Sequence, residues 1–278
     1  MKYYIVDAFT DRPFGGNPAG VVLLDGNTYP DEELMLKVAA EFRYSETAFV
    51  RQDGRDEFTI RYFTPRAEVE LCGHATIASF SVLRHMGLTD GQYRCHTQAG
   101  LLSIAVGDRV MMQMAKPRIV ATLGAEDIEE VYRAVGASPT EIHPQIVYAG
   151  LPDIMLPVAT FAVLQSLQPD MDAVTAATRR LDVVSVHAFV CCGDGYTAHV
   201  RDFAPLYGVP EESATGTANA ALTYYLVKNG LVGATADCRF LQGEAMGRPS
   251  VVATRIEPEE TIYVGGTAAI VAEGTLLL

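Results

Sequence analysis

The sequence predicts an α+β protein of two pseudo-equivalent domains, each a mostly antiparallel, strongly curved sheet around a central buried helix. Three observations predict it. The window Cys72–Leu88 (CGHATIASFSVLRHMGL) returns 143 residues later as Thr215–Leu231 (TGTANAALTYYLVKNGL), with six identities: Gly73/Gly216, Ala75/Ala218, Ala78/Ala221, Leu83/Leu226, Gly87/Gly230 and Leu88/Leu231. Two shorter patterns recur at an offset of 140, SxxAFV at Ser45–Val50 and Ser185–Val190, and RxFxP at Arg61–Pro65 and Arg201–Pro205. Both long windows are apolar on nearly every side, so the helix each encodes lacks a wet face and has to be enclosed.

Taken in order, Lys2–Phe9 alternates as a strand, Thr10–Gly20 (TDRPFGGNPAG) is a turn-rich break, and Val21–Leu24 is a second strand. The Gly15-Gly16-Asn17-Pro18 segment lacks both the GxGxxG and the Lys-Ser/Thr of phosphate-binding loops and reads as a plain turn. Asp31–Phe42 has helical spacing and an acidic first turn. Ala48–Val50, Phe58–Phe63 and Val69–Leu71 are strands, the last leading into the first buried helix. Tyr93–Val106 and Arg109–Met114 read as an antiparallel pair joined at Gly107-Asp108. A proline-marked change of pattern at Lys116-Pro117-Arg118 divides the chain into domains 1–117 and 118–278, the final strand being free to return to the first. The second part repeats these signals: Ile154–Leu156, a helix at Met171–Arg179, the strand Val183–Val190, then Thr215–Leu231 and three tail strands. The change of offset from 140 to 143 places a three-residue insertion in Tyr207–Ser213. Two copies are too few to bury the faces of a solenoid.

The net charge of −13 argues against a nucleic-acid surface. No apolar run reaches the roughly 18 residues of a membrane span, and MKYYIVDAFT reads as a strand and not as a signal core. A cytoplasmic, non-membrane protein is the expectation. Five cysteines without paired CxxC spacing predict neither disulfides nor a cysteine zinc site, and six scattered histidines without HExxH give no metal motif.

The duplication also shows where the copies differ. Glu46 stands where the second copy has Val186, and an acid partly buried in a cleft is a general acid or base; the competing reading is a surface acid beside a strand. His74, opposite Thr217, passes protons or holds a carboxylate, against the reading of a packed core histidine. Gly216 and Thr217 form an anion cradle at a helix start, whose first N–H groups lack partners within the helix. Glu211 and Glu212 both remain candidates for a second carboxylate, while Asp202 reads as structural and Asp194 as a turn residue. Cys72 lies opposite Thr215, which disfavours racemisation by two opposed thiols.

Together, FTDRPFGGNPAGVVL, YSETAFV, RYFTP, LCGHATIAS, RDFAP and EESATGTANAAL resemble the phenazine-biosynthesis PhzF-like family, of the diaminopimelate-epimerase-like fold, across nearly the whole chain. The resemblance implies an isomerase working without metal or organic cofactor, commonly a homodimer, whose best-understood activity isomerises trans-2,3-dihydro-3-hydroxyanthranilate. By motif, Glu46 matches the family's proton-carrying glutamate and His74 its assisting histidine. Ser45, Gly73, Gly216 and Thr217 match groups around the substrate's polar and carboxylate atoms. Where the family's second motif reads EDPATGSA, this chain has Glu212 for the aspartate, Ser213 for the proline and Thr217 for the serine. Glutamate reaches one methylene farther, and misplacement by about an ångström can cost roughly a hundredfold in rate, so the expected substrate is a small carboxylate-bearing metabolite and not that compound by default. Glu46, His74 and Glu212 are the expected catalytic residues of a cofactor-independent proton or double-bond shift. The alternatives are an epimerase or racemase of a small carboxylate, and a non-catalytic ligand-binding protein.

Overall fold

The computed structural model describes residues 1–278. In chain order the elements are β1 (Lys2–Ala8), β2 (Asn17–Leu23), α1 (Glu32–Phe42), β3 (Thr47–Gln52), β4 (Glu57–Phe63), β5 (Glu68–Val69), α2 (Gly73–His85), β6 (Gly91–Thr97), β7 (Gly100–Val106) and β8 (Val110–Gln113). There follow β9 (Arg118–Thr122), α3 (Ala125–Val135), β10 (Gln145–Tyr148), β11 (Pro152–Pro157), α4 (Phe161–Ser166), α5 (Met171–Leu181), β12 (Ser185–Cys191) and β13 (Ala198–Ala204). The chain ends with β14 (Val209–Glu212), α6 (Gly216–Lys228), β15 (Asp237–Gln242), β16 (Ser250–Ile256), β17 (Ile262–Gly266) and β18 (Ala268–Thr275). It divides into two compact units, Met1–Gln113 with Gly265–Leu278, and Met114–Val264. No helix is long and apolar enough to cross a membrane.

The duplication is visible in the strand pairing. In the first unit β2 runs parallel to β3, β3 antiparallel to β4, and β4 parallel to β6. In the second, β11 runs parallel to β12, β12 antiparallel to β13, and β13 parallel to β15. Helices α2 and α6 each have 13 residues and begin on the paired glycines Gly73 and Gly216.

The α+β, two-unit character stands, but the expected strong curvature does not: the sheets are neither tightly curled nor closed. In the first unit the ladder runs β18–β1–β2–β3–β4–β6–β7–β8. Rolling a sheet tightly takes repeated bulges or glycine kinks, whereas the one register shift in this ladder falls between Ile5 and Val6. The expectation had inferred sheet shape from helix burial. Helix α2 tolerates burial for local reasons: Ala75 and Ala78 permit close packing, and Thr76, Ser79 and Ser81 donate to the carbonyls of Cys72, Ala75 and Ile77 at 2.7, 2.6 and 2.7 Å, so its hydroxyls need no water.

Three local expectations also change. Strand β2 begins at Asn17, paired with Ala8, so the turn is shorter than Thr10–Gly20. The stretch Tyr93–Val106 is two strands, β6 and β7, closed by the Thr97–Gly100 pair, with Gly100 in the left-handed region at φ 114°. Helix α3 has no counterpart in the first copy; it presents Ile128, Val131, Tyr132 and Val135 at helical spacing to a core that includes Ile154, Leu156, Val174 and Phe203.

Candidate active site

In the first unit the candidate residues meet at the start of α2. Its N-cap, Cys72, is extended and makes no side-chain cap, leaving the first helical N–H groups without an internal acceptor. His74, on the first turn, is 7% exposed. Its Nε2 lies 3.3 Å from Glu46 Oε2 and 3.4 Å from Ser45 Oγ. Its Nδ1 lies 3.4 Å from Asn17 Nδ2 and 3.4 Å from Cys72 Sγ. The Asn17 amide donates to Nδ1, so the ring proton sits on Nε2 and faces Glu46. Burial lowers the His74 pKa, opposed by the Glu46 charge, which favours this neutral ring. Glu46 precedes β3, where its carbonyl accepts from Gly20 N–H at 3.2 Å, and its side chain is 21% exposed. The pair can therefore hold a carboxylate as a base, oriented by an imidazole N–H.

Asn17 was missed as a functional residue. Its place depends on the preceding turn, where Asp7 Oδ2 accepts from Phe14 N–H at 2.7 Å and Gly16 adopts φ 63°. A Cβ at Gly16 would lie 2.2 Å from the Ala8 carbonyl oxygen and 2.9 Å from Thr10 Cγ2. Gly16→Ala is expected to cost about 3 kcal/mol or more through left-handed strain and overlap with backbone; urea denaturation checks it, and an unchanged midpoint would refute the turn's role.

In the second unit, Glu212, Gly216 and Thr217 lie around the start of α6. Thr215 Oγ1 is 2.5 Å from Glu212 Oε2 and 3.0 Å from Asp202 Oδ2. Gln242, fully buried, clamps the turn: its Oε1 accepts from Thr215 N–H at 3.1 Å and from Asn219 Nδ2 at 2.8 Å, and its Nε2 donates to the Glu212 carbonyl at 2.9 Å. The two adjacent glutamates separate cleanly. Glu211 is gripped by Arg201, whose Nε and Nη2 each donate to it at 2.8 Å, whereas Glu212 faces Thr215.

Beneath this turn lies a group that sequence reasoning passed over. Ser185 Oγ is 2.9 Å from Asp153 Oδ1 and 2.7 Å from Asp202 Oδ1, and His187 Nδ1 is 2.9 Å from Asp202 Oδ1. Asp153, Ser185, His187 and Asp202 are all at most 1% exposed. Burial, and then the charge of Asp202, push the Asp153 carboxyl up to about 7. The folded form thus binds a proton that the unfolded chain releases above the ordinary value of 3.8. Asp153 therefore contributes stability that is complete below about pH 4 and is lost as pH rises through about 7. Asp153→Asn, neutral throughout, is expected to gain on the wild type between about pH 5 and 8; urea midpoints across that range test it, and parallel curves would count against the buried acid.

Two groups place possible metal-ligand atoms within 4.8 Å of one another: Glu46, Cys72 and His74, and Cys192, Asp194 and His199. No sequence spacing announced them, because strand and helix packing brings them together. In the second group both ring nitrogens of His199 already meet carboxylates, Nδ1 with Glu244 at 2.7 Å and Nε2 with Asp194 at 2.8 Å.

The chain matches the family model described as phenazine biosynthesis-like protein over residues 6–274. It is 35% identical to an uncharacterized isomerase of Deinococcus radiodurans, covering 98% of this chain and 94% of that one. It is 30% identical to the trans-2,3-dihydro-3-hydroxyanthranilate isomerase of Pseudomonas chlororaphis, covering 99% of each. The crystal structure of the Bacillus anthracis phenazine biosynthesis protein of the PhzF family superposes with a TM-score of 0.88 at 25% identity, covering 100% of this chain and 99% of that one. Duplicated α+β units and full-length likeness to these proteins define an isomerase of the PhzF-like class. The chain belongs to the phenazine biosynthesis-like family.

Proposed function

We propose that the protein shifts a proton, and with it a double bond, within a small carboxylate-bearing metabolite, by acid–base chemistry without a cofactor. The observation that carries this reading is the Glu46 carboxylate 3.3 Å from Nε2 of a buried His74. Glu46 takes the proton from one carbon and returns it to another, and the His74 N–H holds the carboxylate on course while it does so. Ser45 and Gly73 bind polar substrate atoms near the start of α2. Gly216 and Thr217 hold anionic oxygen through the uncapped N–H groups and hydroxyl at the start of α6, and Glu212 serves as the second acid.

The Pseudomonas chlororaphis relative isomerises trans-2,3-dihydro-3-hydroxyanthranilate. Glu212, Ser213 and Thr217 depart from that family's usual motif, so our reading keeps the reaction and the carboxylate class and leaves the ring open. It also places the protein in the cytoplasm as a homodimer, which light scattering on the purified protein would check.

The experiment is a screen of small carboxylates in deuterated solvent, with Glu46→Gln in parallel. Substrate-dependent deuterium incorporation together with double-bond movement supports the proposal; exchange at an α-carbon without bond movement selects an epimerase. Binding with no exchange in the wild type sinks both.

A further inference from the structure

Glu46, Cys72 and His74 reach one point from three places in the first unit: the residue before β3, the N-cap of α2 and the first turn of that helix. One ligand-capable atom of each lies within 4.8 Å of the other two. We propose that these side chains form a zinc site laid over the proton-transfer site, and that zinc bound there stops the isomerase. Binding follows from the geometry; the inhibition rests on reading Glu46 as the proton carrier.

The separations are those of a metal tetrahedron. Zinc, with bonds of about 2.0–2.2 Å to nitrogen and oxygen and about 2.3 Å to sulfur, holds a nitrogen and an oxygen about 3.4 Å apart and a nitrogen and a sulfur about 3.5 Å apart. His74 Nε2 lies 3.3 Å from Glu46 Oε2 and 3.7 Å from Cys72 Sγ. The third edge, from Cys72 Sγ to the carboxylate, is within 4.8 Å and closes by rotation of Glu46, whose side chain is 21% exposed. Other buried histidines meet carboxylates at ordinary hydrogen-bond distance: His187 with Asp202 at 2.9 Å, and His199 with Glu244 at 2.7 Å and Asp194 at 2.8 Å. Those contacts leave no room for an ion between the atoms, which sets aside the group of Cys192, Asp194 and His199. The wider pair of His74 and Glu46 leaves that room.

The donors suit zinc. A thiolate, an imidazole and a carboxylate are its usual ligands, whereas magnesium and calcium take oxygen alone. Cys72 stands at a helix start, which favours its thiolate. Ligation sends the Cys72 thiol proton to solvent, and the ring proton leaves Nε2 while Nδ1 takes one up, so the imidazole stays neutral. Asn17, 3.4 Å from Nδ1, turns its amide oxygen to the new N–H. Two anionic ligands cancel the two charges of the ion, so no net charge is enclosed. Ser45 is exposed, with its Oγ 3.4 Å from Nε2, and opens that side of the ring to solvent. Zinc enters there, and a water takes the fourth position. The bound ion occupies the Glu46 lone pair that would abstract a proton and the Nε2 that steadies it.

The fold does not require these three side chains. Their counterparts in the second copy are Val186, Thr215 and Thr217, so all three ligands are replaced together while the glycine-led helix and the strand order are kept.

Cobalt, which takes the place of zinc and colours on binding a thiolate, tests the site on the intact protein without a substrate. Titration with Co²⁺ is expected to give the near-ultraviolet band of a cobalt–thiolate bond at one ion per chain, and zinc should bleach it. Cys72→Ser should abolish the band and weaken zinc binding about a hundredfold or more, since loss of an outer-shell partner alone costs roughly 10–100-fold. Cys192→Ser should leave the band unchanged. Zinc should raise the thermal midpoint of the wild type and not that of Cys72→Ser. Glu46→Gln, which keeps the thiol, should keep the band and weaken zinc at least about tenfold, and it decides the matter if Cys72→Ser does not fold. A missing band, a band that survives Cys72→Ser, or one lost in Cys192→Ser overturns the site. Once a substrate is in hand, zinc should stop turnover and a chelator restore it; zinc bound with turnover untouched overturns the inhibition. Turnover surviving in Glu46→Gln would instead remove the proposed function and leave the cobalt result standing.

Discussion

Glu46→Gln is expected to lower kcat by about a thousandfold, within the 10²–10⁴ range that a positioned acid–base group contributes, with little change in KM. Glutamine keeps the size of the side chain and can still accept from the His74 N–H, so the exchange at this partly buried position should cost little stability. What is lost is the ability to carry a proton from carbon to carbon. Solvent-deuterium incorporation should fall in step with turnover, since both need the same abstraction. A variant with wild-type exchange would show that another base does the work.

The largest effect on stability is expected at Arg201. This side chain is 8% exposed and donates from Nε and Nη2 to Glu211 and from Nη1 to the carbonyls of Leu164 and Leu167, at 3.2 and 2.9 Å. It thus ties β13 to the end of α4. Arg201→Met is expected to cost about 3–5 kcal/mol, because it strands a mostly buried Glu211 together with two carbonyls. Adding Glu211→Leu should recover part of that loss, since an apolar pair replaces a charge left alone. Denaturation midpoints of the single and double variants decide it: a double variant less stable than Arg201→Met would mean that Glu211 has another, larger role.

Much of the architecture was legible because it was written twice. Helices α2 and α6 announce themselves by having no wet face, and the repeat fixes their register to the residue. Glu46 and His74 stand out by the opposite logic, as positions where the copies disagree, and the structure brings their side chains together. Sheet shape was not legible, because a buried helix constrains which residues cover it and not how far a ladder bends. Asn17 escaped because its role depends on a left-handed Gly16 and a two-strand register, neither of which composition reveals. The buried group around Asp202 escaped for the same reason. Asp153 and Ser185 are opposed only through the parallel pairing of β11 with β12, and His187 and Asp202 only through β12 with β13. Asp202 was read as structural because a residue inside RxFxP looks like part of a packing motif. Helix α3 was visible as an amphipathic pattern but had no partner in the first copy to draw attention to it.

The pairing of β1 with β18 on one side and β2 on the other gives the first unit a history as well as a shape. Its sheet joins strands from Met1–Gln113 to a strand from Gly265–Leu278, with the whole of Met114–Val264 made in between. During synthesis the second unit can close its core while the edge of β1 still waits for its neighbour, and an unpaired edge is a template for the wrong strand. The order of manufacture therefore makes the first half of the chain the last to be completed, and the half that most needs protection on the way.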